Sequence, residues 1–203
     1  MIKNEIAPGI MIYDDVIKDS ETLVDDIEEG MKSANIQWSL AGVYSGRKEN
    51  GDVEQTDQTK RDTMKIGIRY SDTIVNDHTN LTDAFQNSLS NIFLESFGPL
   101  ENDYKNNYGI FTTWHDVYGI LKYGVGQKFV NHIDDHPEYH RRISTLYYIN
   151  DNYSGGELFF PRFNVTLKPK ANQMVIFPST YVYNHSVLPV QEGTRYSVVS
   201  WLR

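Results

Sequence analysis

The sequence contains no cysteine among its 203 residues. This absence excludes a disulfide framework, a thiolate metal site and a cysteine nucleophile. Basic residues are also few, with 19 lysines and arginines against 27 acidic residues and a net charge of −8. Because clustered positive charge is what binds nucleic-acid backbones, this balance disfavours a nucleic-acid partner.

Long apolar runs are missing as well. No stretch approaches the about 18 apolar residues that a membrane span needs, and the N-terminal segment MIKNEIAPGIMIYDD lacks the pattern of a signal peptide. We therefore expect a cytoplasmic protein with no membrane partner, while its oligomeric state stays open. The chain is 39% hydrophobic and 13% aromatic, which is enough apolar surface for the core of a globular protein.

The N-terminal part predicts a short strand, Ile10 to Tyr13, followed by helices. The first helix, capped by Asp19 or Ser20, has apolar residues at helical spacing: Leu23, Val24, Ile27 and Met31. A second helix is predicted from about Thr82 to Glu95, with Gly98-Pro99 as its stop and a further short helix from Leu100 to Asn107. The polar stretch at 45–63 is typical of a solvated loop, and a lid over a binding site is the alternative.

The C-terminal part has the texture of a β protein. Short runs rich in Tyr, Val, Phe, Ile and Thr alternate with turn residues. The predicted strands are Thr112–Tyr123, Ile143–Ile149, Glu157–Phe160, Asn164–Leu167, Gln173–Phe177, Val182–Val187 and Tyr196–Leu202. We expect one domain over 1–203, mainly β with flanking helices (α+β): 1–110 supports a β sandwich or barrel at 111–203.

Three residues in the β half form a candidate metal site. In a strand, His132 and Asp134 point to the same face because they are two residues apart. His185 lies in a later strand-like run that can return beside them. Two imidazoles and one carboxylate, with positions left open, are the ligand set of non-haem iron(II) oxygenases, whereas a structural zinc site closes its fourth position.

Arg195 follows His185 within the segment Gly193-Thr194-Arg195-Tyr196-Ser197. An arginine on an apolar strand is costly to bury unless it meets a carboxylate, and its planar fork suits a bidentate carboxylate partner. A salt bridge to a protein acid is one explanation. Beside an iron site, an acidic ligand is the better one.

The ordered motifs resemble the catalytic domain of prolyl 4-hydroxylases, over roughly Thr112 to Arg203. They are Tyr123-Gly-Val-Gly-Gln, His132-Ile-Asp134, Arg141-Arg142, Tyr148-Ile-Asn150, Gly155-Gly-Glu-Leu-Phe-Phe160, Phe177-Pro178, His185 with Pro189-Val190, and Gly193 with Arg195-Tyr196 and Trp201. The resemblance implies a double-stranded β-helix, or jelly roll, with iron between its two sheets.

By this resemblance, His132, Asp134 and His185 bind Fe(II), and Arg195 binds the distal carboxylate of 2-oxoglutarate. Further cosubstrate residues are Tyr123, Tyr148, Leu158 and Ser197, and the substrate residues are Arg141 or Arg142 and Trp201. The implied reaction couples oxidative decarboxylation of 2-oxoglutarate to hydroxylation of a C–H bond by dioxygen, with ascorbate as the reductant. The implied substrate is a proline in a peptide or protein.

Other interpretations compete with this one. A nucleic-acid demethylase of the same superfamily has a second arginine where this chain has Trp201. A hydroxylase of a free amino acid or small metabolite, and a non-catalytic β-sandwich binding module, both remain open. The run His136 to His140 is predicted as a solvated loop and His115 as a structural residue, whereas Tyr181, Tyr183 and Tyr196 flank the site and can line it.

Overall fold

The structure is a computed structural model. It describes residues 2–48, 51–68, 81–136, 138 and 140–203, with side chains for all of these except 44–48, 51–54 and 81–83. The elements are β1 (Lys3–Ala7), β2 (Ile10–Tyr13), α1 (Leu23–Ser33), β3 (Ser39–Leu40), β4 (Val43–Lys48), β5 (Gly51–Gln55), β6 (Met64–Ile68), α2 (Leu81–Tyr108), β7 (Tyr118–Tyr123), β8 (Phe129–His132), β9 (Ile143–Tyr148), β10 (Ser154–Gly155), β11 (Leu158–Phe160), β12 (Val165–Leu167), β13 (Gln173–Pro178), a 3-10 turn (Tyr181–Tyr183), β14 (His185–Val187), β15 (Val190–Glu192) and β16 (Arg195–Leu202).

Eight antiparallel strands form the larger sheet, in the order β1-β2-β13-β9-β16-β7-β6-β3. Every residue of β9 and β16 is buried. Because successive side chains of a strand point to opposite faces, the centre of this sheet is covered on both sides. Four strands from the N-terminal part, β1, β2, β3 and β6, complete the sheet that the C-terminal strands begin.

The two helices cover the outer face of the larger sheet. Leu23, Ile27 and Met31 of α1 are buried at helical spacing, and Phe93 and Phe97 of α2 are buried with them. They share one apolar cluster with sheet residues, among them Tyr118, Ile120, Tyr147, Met174 and Val198. The expectation that the helices buttress the β half is therefore confirmed.

The predicted helix ends are partly wrong. Helix α2 continues through Pro99, although proline lacks the N–H that the helix needs and usually ends or kinks it. Phe97, Leu100 and Tyr104 are buried on both sides of this point, and their packing outweighs the local preference. Helix α1 is preceded by Thr22 as its N-cap position, not by Asp19 or Ser20. Neither described helix combines the length and the apolar composition that crossing a membrane requires.

The inner face of the larger sheet packs against a smaller sheet of order β12-β11-β14-β8. Leu121, Leu146 and Val199 of the larger sheet share an apolar cluster with Leu158 and Val187 of the smaller one. Burial of apolar surface stabilises by about 25 cal/mol per Å², so this cluster joins the sheets. The residues predicted to carry the chemistry lie between them.

Several local expectations differ from the structure. The polar stretch at 45–63 includes the backbone of a β4–β5 hairpin rather than a loop alone, with residues 49 and 50 outside the described part. The strand predicted to begin at Thr112 begins at Tyr118. His136, predicted in a solvated loop, is buried, whereas His140 is exposed; Pro137 and Tyr139 between them lie outside the described residues.

Candidate metal centre and active site

Strand pairing brings the three candidate metal ligands together. Strands β8 and β14 run antiparallel with His132 opposite His185, and Asp134 follows β8 by two residues. One ligand atom from each residue lies within 4.8 Å of the others. The Nε2 atom of His132 is 3.4 Å from Oδ1 of Asp134, and Nε2 of His185 is 3.7 Å from Oδ2. The predicted set of two imidazoles and a carboxylate thus converges at one point.

The surroundings orient each ligand atom. Nδ1 of His132 lies 2.9 Å from the carbonyl oxygen of Val130, and Nδ1 of His185 lies 3.0 Å from that of Tyr183. A protonated Nδ1 donates to such a carbonyl and leaves the Nε2 lone pair for a metal. Oδ2 of Asp134 accepts a 2.7 Å hydrogen bond from the Ser144 hydroxyl, which fixes the carboxylate.

Electrostatics keep two of the ligands in their metal-binding forms. Burial raises the pKa of Asp134, but His185, His132 and the hydrogen bond from Ser144 together hold it well below its usual range. Burial and the neighbouring His132 lower the pKa of His185 to about 4. At neutral pH the first is a carboxylate and the second a neutral imidazole, which are the forms that bind a metal ion.

A pocket opens beside these ligands, with about 320 Å³ of empty space that includes the solvent at its mouth. Aromatic rings shield the imidazoles. The ring of Phe129 stacks on His132 with centroids 3.5 Å apart, and Phe177 meets His185 edge-on at 4.9 Å. The other lining residues are mainly apolar or aromatic, and charged groups in such surroundings interact more strongly than they would in solvent. Besides the three ligands, Arg195, Trp201 and Arg61 line the pocket.

Arg195 is completely buried on β16, opposite Tyr123 of β7. The centre of its guanidinium lies 4.9 Å from the ring of Tyr123 and 4.8 Å from the ring of Tyr148. Nη1 donates to the Ser197 hydroxyl at 3.2 Å. Nε and Nη2 are buried without a hydrogen-bond partner among the described residues. An arginine stays charged in proteins, so these two N–H groups await an acceptor.

Two tyrosine hydroxyls complete this cradle. Those of Tyr148 and Tyr153 are buried, and neither finds a partner in the described part of the chain. Burial raises the pKa of Tyr148 and raises that of Tyr153 to about 12, with Arg195 opposing both shifts. Both hydroxyls therefore remain protonated donors at neutral pH. Buried donors without an acceptor are costly, and a carboxylate is the kind of acceptor that such donors favour.

Tyr153 did not emerge from the sequence, because tyrosine is common throughout this chain. The pair Gly155-Gly156, which follows Tyr153 closely in the sequence, is the local signal that could have drawn attention to it. Both glycines form a turn with φ values of +68° and +67°. A Cβ on Gly156 would lie 3.1 Å from Cδ of Arg195 and 3.2 Å from the Tyr153 ring. The turn thus needs glycine both for its backbone angle and for the close approach of these two side chains.

The remaining predicted residues occupy distinct places. Leu158 is buried in the inner cluster with Tyr148. Arg141 stacks on Trp201 at 3.7 Å, pairs with Asp116 at 3.1 Å and donates to the Asp134 carbonyl at 3.3 Å, whereas Arg142 is exposed. Arg141 thus supports the pocket from behind Trp201.

The flanking tyrosines do not surround the site as expected. The hydroxyl of Tyr196 donates to Glu28 on the outer face of the larger sheet, so the prediction that it lines the site is wrong. Tyr183 packs on Phe163 and donates to the carbonyl of Pro8, while Tyr181 is exposed. His115 contacts Glu101 at 3.1 Å, as a structural histidine does.

The chain resembles known oxygenases. Residues 118–203 match the family model of the 2OG-Fe(II) oxygenase superfamily. A PKHD-type hydroxylase of Prochlorococcus marinus (strain NATL2A) is 27% identical over 185 residues, covering 85% of this chain and 69% of that protein. The crystal structure of a prolyl-4-hydroxylase from Pseudomonas putida has a similar fold, with a TM-score of 0.70, 18% identity, and coverage of 96% of this chain and 92% of that one.

A second similar structure was determined with a peptide bound. It is the prolyl hydroxylase of Trichoplax adhaerens in complex with a hypoxia inducible factor oxygen degradation domain fragment. It has a TM-score of 0.61 and 19% identity, covering 96% of this chain and 83% of that one. At this identity the likeness concerns the fold alone.

Proposed function

We propose that this prolyl 4-hydroxylase-like, 2-oxoglutarate/Fe(II)-dependent dioxygenase hydroxylates a proline in a peptide or protein. Fe(II), 2-oxoglutarate and dioxygen are the reactants that its family implies, and we propose ascorbate as the reductant. We also propose that 1–203 is one catalytic domain and that its two packed sheets form a double-stranded β-helix.

The observation that carries the proposal is the pairing of two sites in one pocket. His132, Asp134 and His185 present a ligand atom each to one point. Arg195 lines the same pocket with two buried N–H groups that have no acceptor among the described residues. A metal chelated by a 2-oxo acid, with a distal carboxylate on Arg195, satisfies both sets of atoms.

The side chains supply position and charge. His132 and His185 offer their Nε2 atoms, and Asp134 offers the carboxylate held by Ser144. Arg195 and the hydroxyls of Tyr148 and Tyr153 would hold the distal carboxylate and so orient the oxo acid in the pocket. Leu158 shares a buried apolar cluster with Tyr148 and is proposed as an apolar wall at this end of the pocket. When bound, iron supplies activation of dioxygen and oxidative decarboxylation of 2-oxoglutarate to succinate.

A hydroxylase of a free amino acid or small metabolite is the second candidate, because the pocket also contains Arg61, whose cationic head can bind an acidic substrate.

We propose Trp201, which lines the pocket, as a substrate contact, with Arg141 behind it and Arg142 at the exposed surface. A non-catalytic binding module is disfavoured, since it has no use for both an intact triad and a buried arginine without an acid.

The first test is turnover of the cosubstrate. The purified protein with Fe(II), oxygen and 2-oxoglutarate is expected to form succinate, and His132→Ala or Asp134→Ala is expected to abolish it because either removes a metal ligand. His140→Ala, which changes an exposed imidazole, is the matched control and is expected to retain wild-type turnover. Absence of both turnover and stoichiometric divalent metal would support the binding module instead.

The proline assignment has its own test. Candidate prolyl peptides incubated with the complete system are expected to gain the mass of one oxygen atom on proline, as measured by tandem mass spectrometry. Oxygen incorporation into another compound, with none on proline, would contradict the assignment.

A further inference from the structure

Arginines near the site differ in their counter-ions. Arg141 and Arg203 both pair with Asp116, at 3.1 and 2.6 Å. Arg195 and Arg61 have no carboxylate partner among the residues that the structure describes, and both line the same pocket. The chain has a net charge of −8, so acidic side chains are plentiful. That two arginines at one pocket lack a carboxylate partner among the described residues indicates that acidic ligands pair with them. Arg195 has such a ligand in the cosubstrate.

The backbone fixes Arg61 beside the metal ligands. Residues 60–62 run along β8: the Val130 amide donates to the Lys60 carbonyl at 2.8 Å, and the Asp62 amide donates to that of Lys128 at 2.9 Å. Arg61 itself forms an antiparallel bridge with Phe129. The Asp62 side chain also accepts from Gln127 at 3.0 Å. The end of the polar stretch is thereby attached to the strand that carries His132.

The guanidinium of Arg61 is also held in a defined position. Its guanidinium lies 4.7 Å from the centre of the Phe129 ring, which in turn stacks on His132. Nη1 donates to the Gly42 carbonyl at 3.1 Å. Nε is buried and has no hydrogen-bond partner within the described ranges. Stacking and one backbone contact hold the group in position but leave its positive charge without an acid.

The two arginines belong to different walls. Arg195 lies on β16 of the larger sheet, and Arg61 lies next to β8, the edge strand of the smaller sheet. An oxo acid held by Arg195 and the metal therefore leaves Arg61 for the second reactant. Because a guanidinium fork matches a carboxylate in shape and charge, the second reactant needs a carboxylate near the C–H bond that reacts.

We propose that Arg61 is a substrate-binding residue and that the hydroxylation substrate carries a carboxylate on or next to the residue that is hydroxylated. This inference rests on the proposed function and specifies its substrate class. The carboxylate has two possible sources, the α-carboxylate of a free or chain-terminal amino acid and the side chain of an acidic neighbour in a peptide. A neutral internal prolyl segment is a poor substrate on this view.

The test compares acids with their amides. The pairs are L-proline and L-prolinamide, N-acetyl-L-proline and its amide, and prolyl peptides with Asp or Asn beside the proline. Binding is measured by calorimetry without oxygen, in the presence of Mn(II) and saturating 2-oxoglutarate. We expect the wild type to bind the acid of at least one pair ten-fold or more tightly than its amide. The pair that shows this preference identifies the source of the carboxylate.

Variants separate charge from packing. Arg61→Gln is expected to lose the preference for the acid, and Arg61→Lys, which keeps the charge, is expected to retain part of it. Arg162→Gln, which changes an exposed arginine beside Tyr181, is the control and is expected to keep the full preference. Equal affinity for acid and amide in every pair, or an equal loss for both in Arg61→Gln, overturns the proposal.

The same samples keep the two proposals apart. Succinate formation by the wild type tests the proposed function, whereas the acid-to-amide ratio is measured in the absence of oxygen and needs no turnover. A protein that prefers acids but forms no succinate would retain the Arg61 site and refute the oxygenase.

Discussion

At the scale of single residues, the proposed chemistry depends most directly on Nε and Nη2 of the Arg195 guanidinium. A buried guanidinium whose Nε and Nη2 find no hydrogen-bond partner among the described residues is unfavourable by itself, since each buried donor without an acceptor costs about 1–3 kcal/mol. The rings of Tyr123 and Tyr148 on the two sides and the Ser197 hydroxyl reduce this cost only in part. The protein thus keeps an incompletely hydrogen-bonded charge in place that an anionic ligand would satisfy, and on the proposed function this would give the cosubstrate its affinity and its orientation.

Tyr153→Phe tests whether the third hydroxyl belongs to this cradle. Loss of one hydrogen bond to a charged acceptor, about 1.5–3 kcal/mol, is expected to weaken 2-oxoglutarate binding roughly 10- to 100-fold. Binding is measured by calorimetry with Mn(II) and without oxygen. Pyruvate, a 2-oxo acid without the distal carboxylate, is expected to bind equally well to both proteins.

Tyr147→Phe is the matched control. Tyr147 is the neighbour of Tyr148 on the same strand, but its hydroxyl donates to Asn172 on the opposite face of the sheet. It is expected to lose a little stability and to keep its affinity for 2-oxoglutarate. An equal effect of both variants would show that Tyr153 is only structural.

At the scale of elements, the register between β8 and β14 decides whether the metal centre exists. His132 lies opposite His185 in this pair, and a slip by one residue would turn one imidazole to the other face. The β9 and β16 strands hold the register of the larger sheet, since all their residues are buried. Helix α2 seals the outer face of that sheet and protects this arrangement.

Phe97→Ala tests the buttressing role of α2. Phe97 is fully buried and packs on Phe93, Tyr118 and Tyr147, so its truncation is expected to cost about 3–5 kcal/mol of unfolding free energy. Leu94→Ala removes an exposed side chain of the same helix and is expected to cost far less. Urea unfolding followed by circular dichroism measures both. Similar losses would mean that α2 does not pack as described.

At the scale of the whole molecule, the candidate site is a pocket between two sheets, and the residues that line it come from both sheets. The proposed metal and cosubstrate sites need the folded arrangement of β8, β14 and β16, because their residues are brought together only by folding. Ligands that bind only the folded state stabilise it by mass action. Stability of the complete protein therefore reports on each half of the site separately.

Thermal unfolding with Mn(II) and 2-oxoglutarate is the corresponding prediction. At a hundredfold excess over its Kd, each ligand is expected to stabilise by about 2.7 kcal/mol, which raises the Tm by roughly 5–11 °C in a chain of this size. Arg195→Ala is expected to lose the increment from 2-oxoglutarate and to keep the one from Mn(II). Loss of both increments together would mean that Arg195 is needed for folding of the metal centre and does not serve the cosubstrate.

The sequence by itself identified those residues whose role follows from the type of side chain and from the spacing between neighbouring residues. His132, Asp134, His185 and Arg195 were predicted in this way, as were α1 and most of the strands that follow Tyr118, whereas β8, β10 and β15 were not among the predicted strands. Ligand chemistry is a local property, so the amino-acid pattern is sufficient to reveal it, although β8 ends at His132 and Asp134 lies beyond the strand on which it was expected.

Tertiary structure decided the features that depend on burial and on distant partners. Only packing shows that α2 continues through Pro99, that His136 is buried and that Tyr196 faces the helices. Only the pairing of residues 60–62 with β8 turns Arg61 from a member of a polar stretch into a pocket residue. The cost of a buried charge depends on every group around it, and those groups are brought together by folding rather than by their order along the chain.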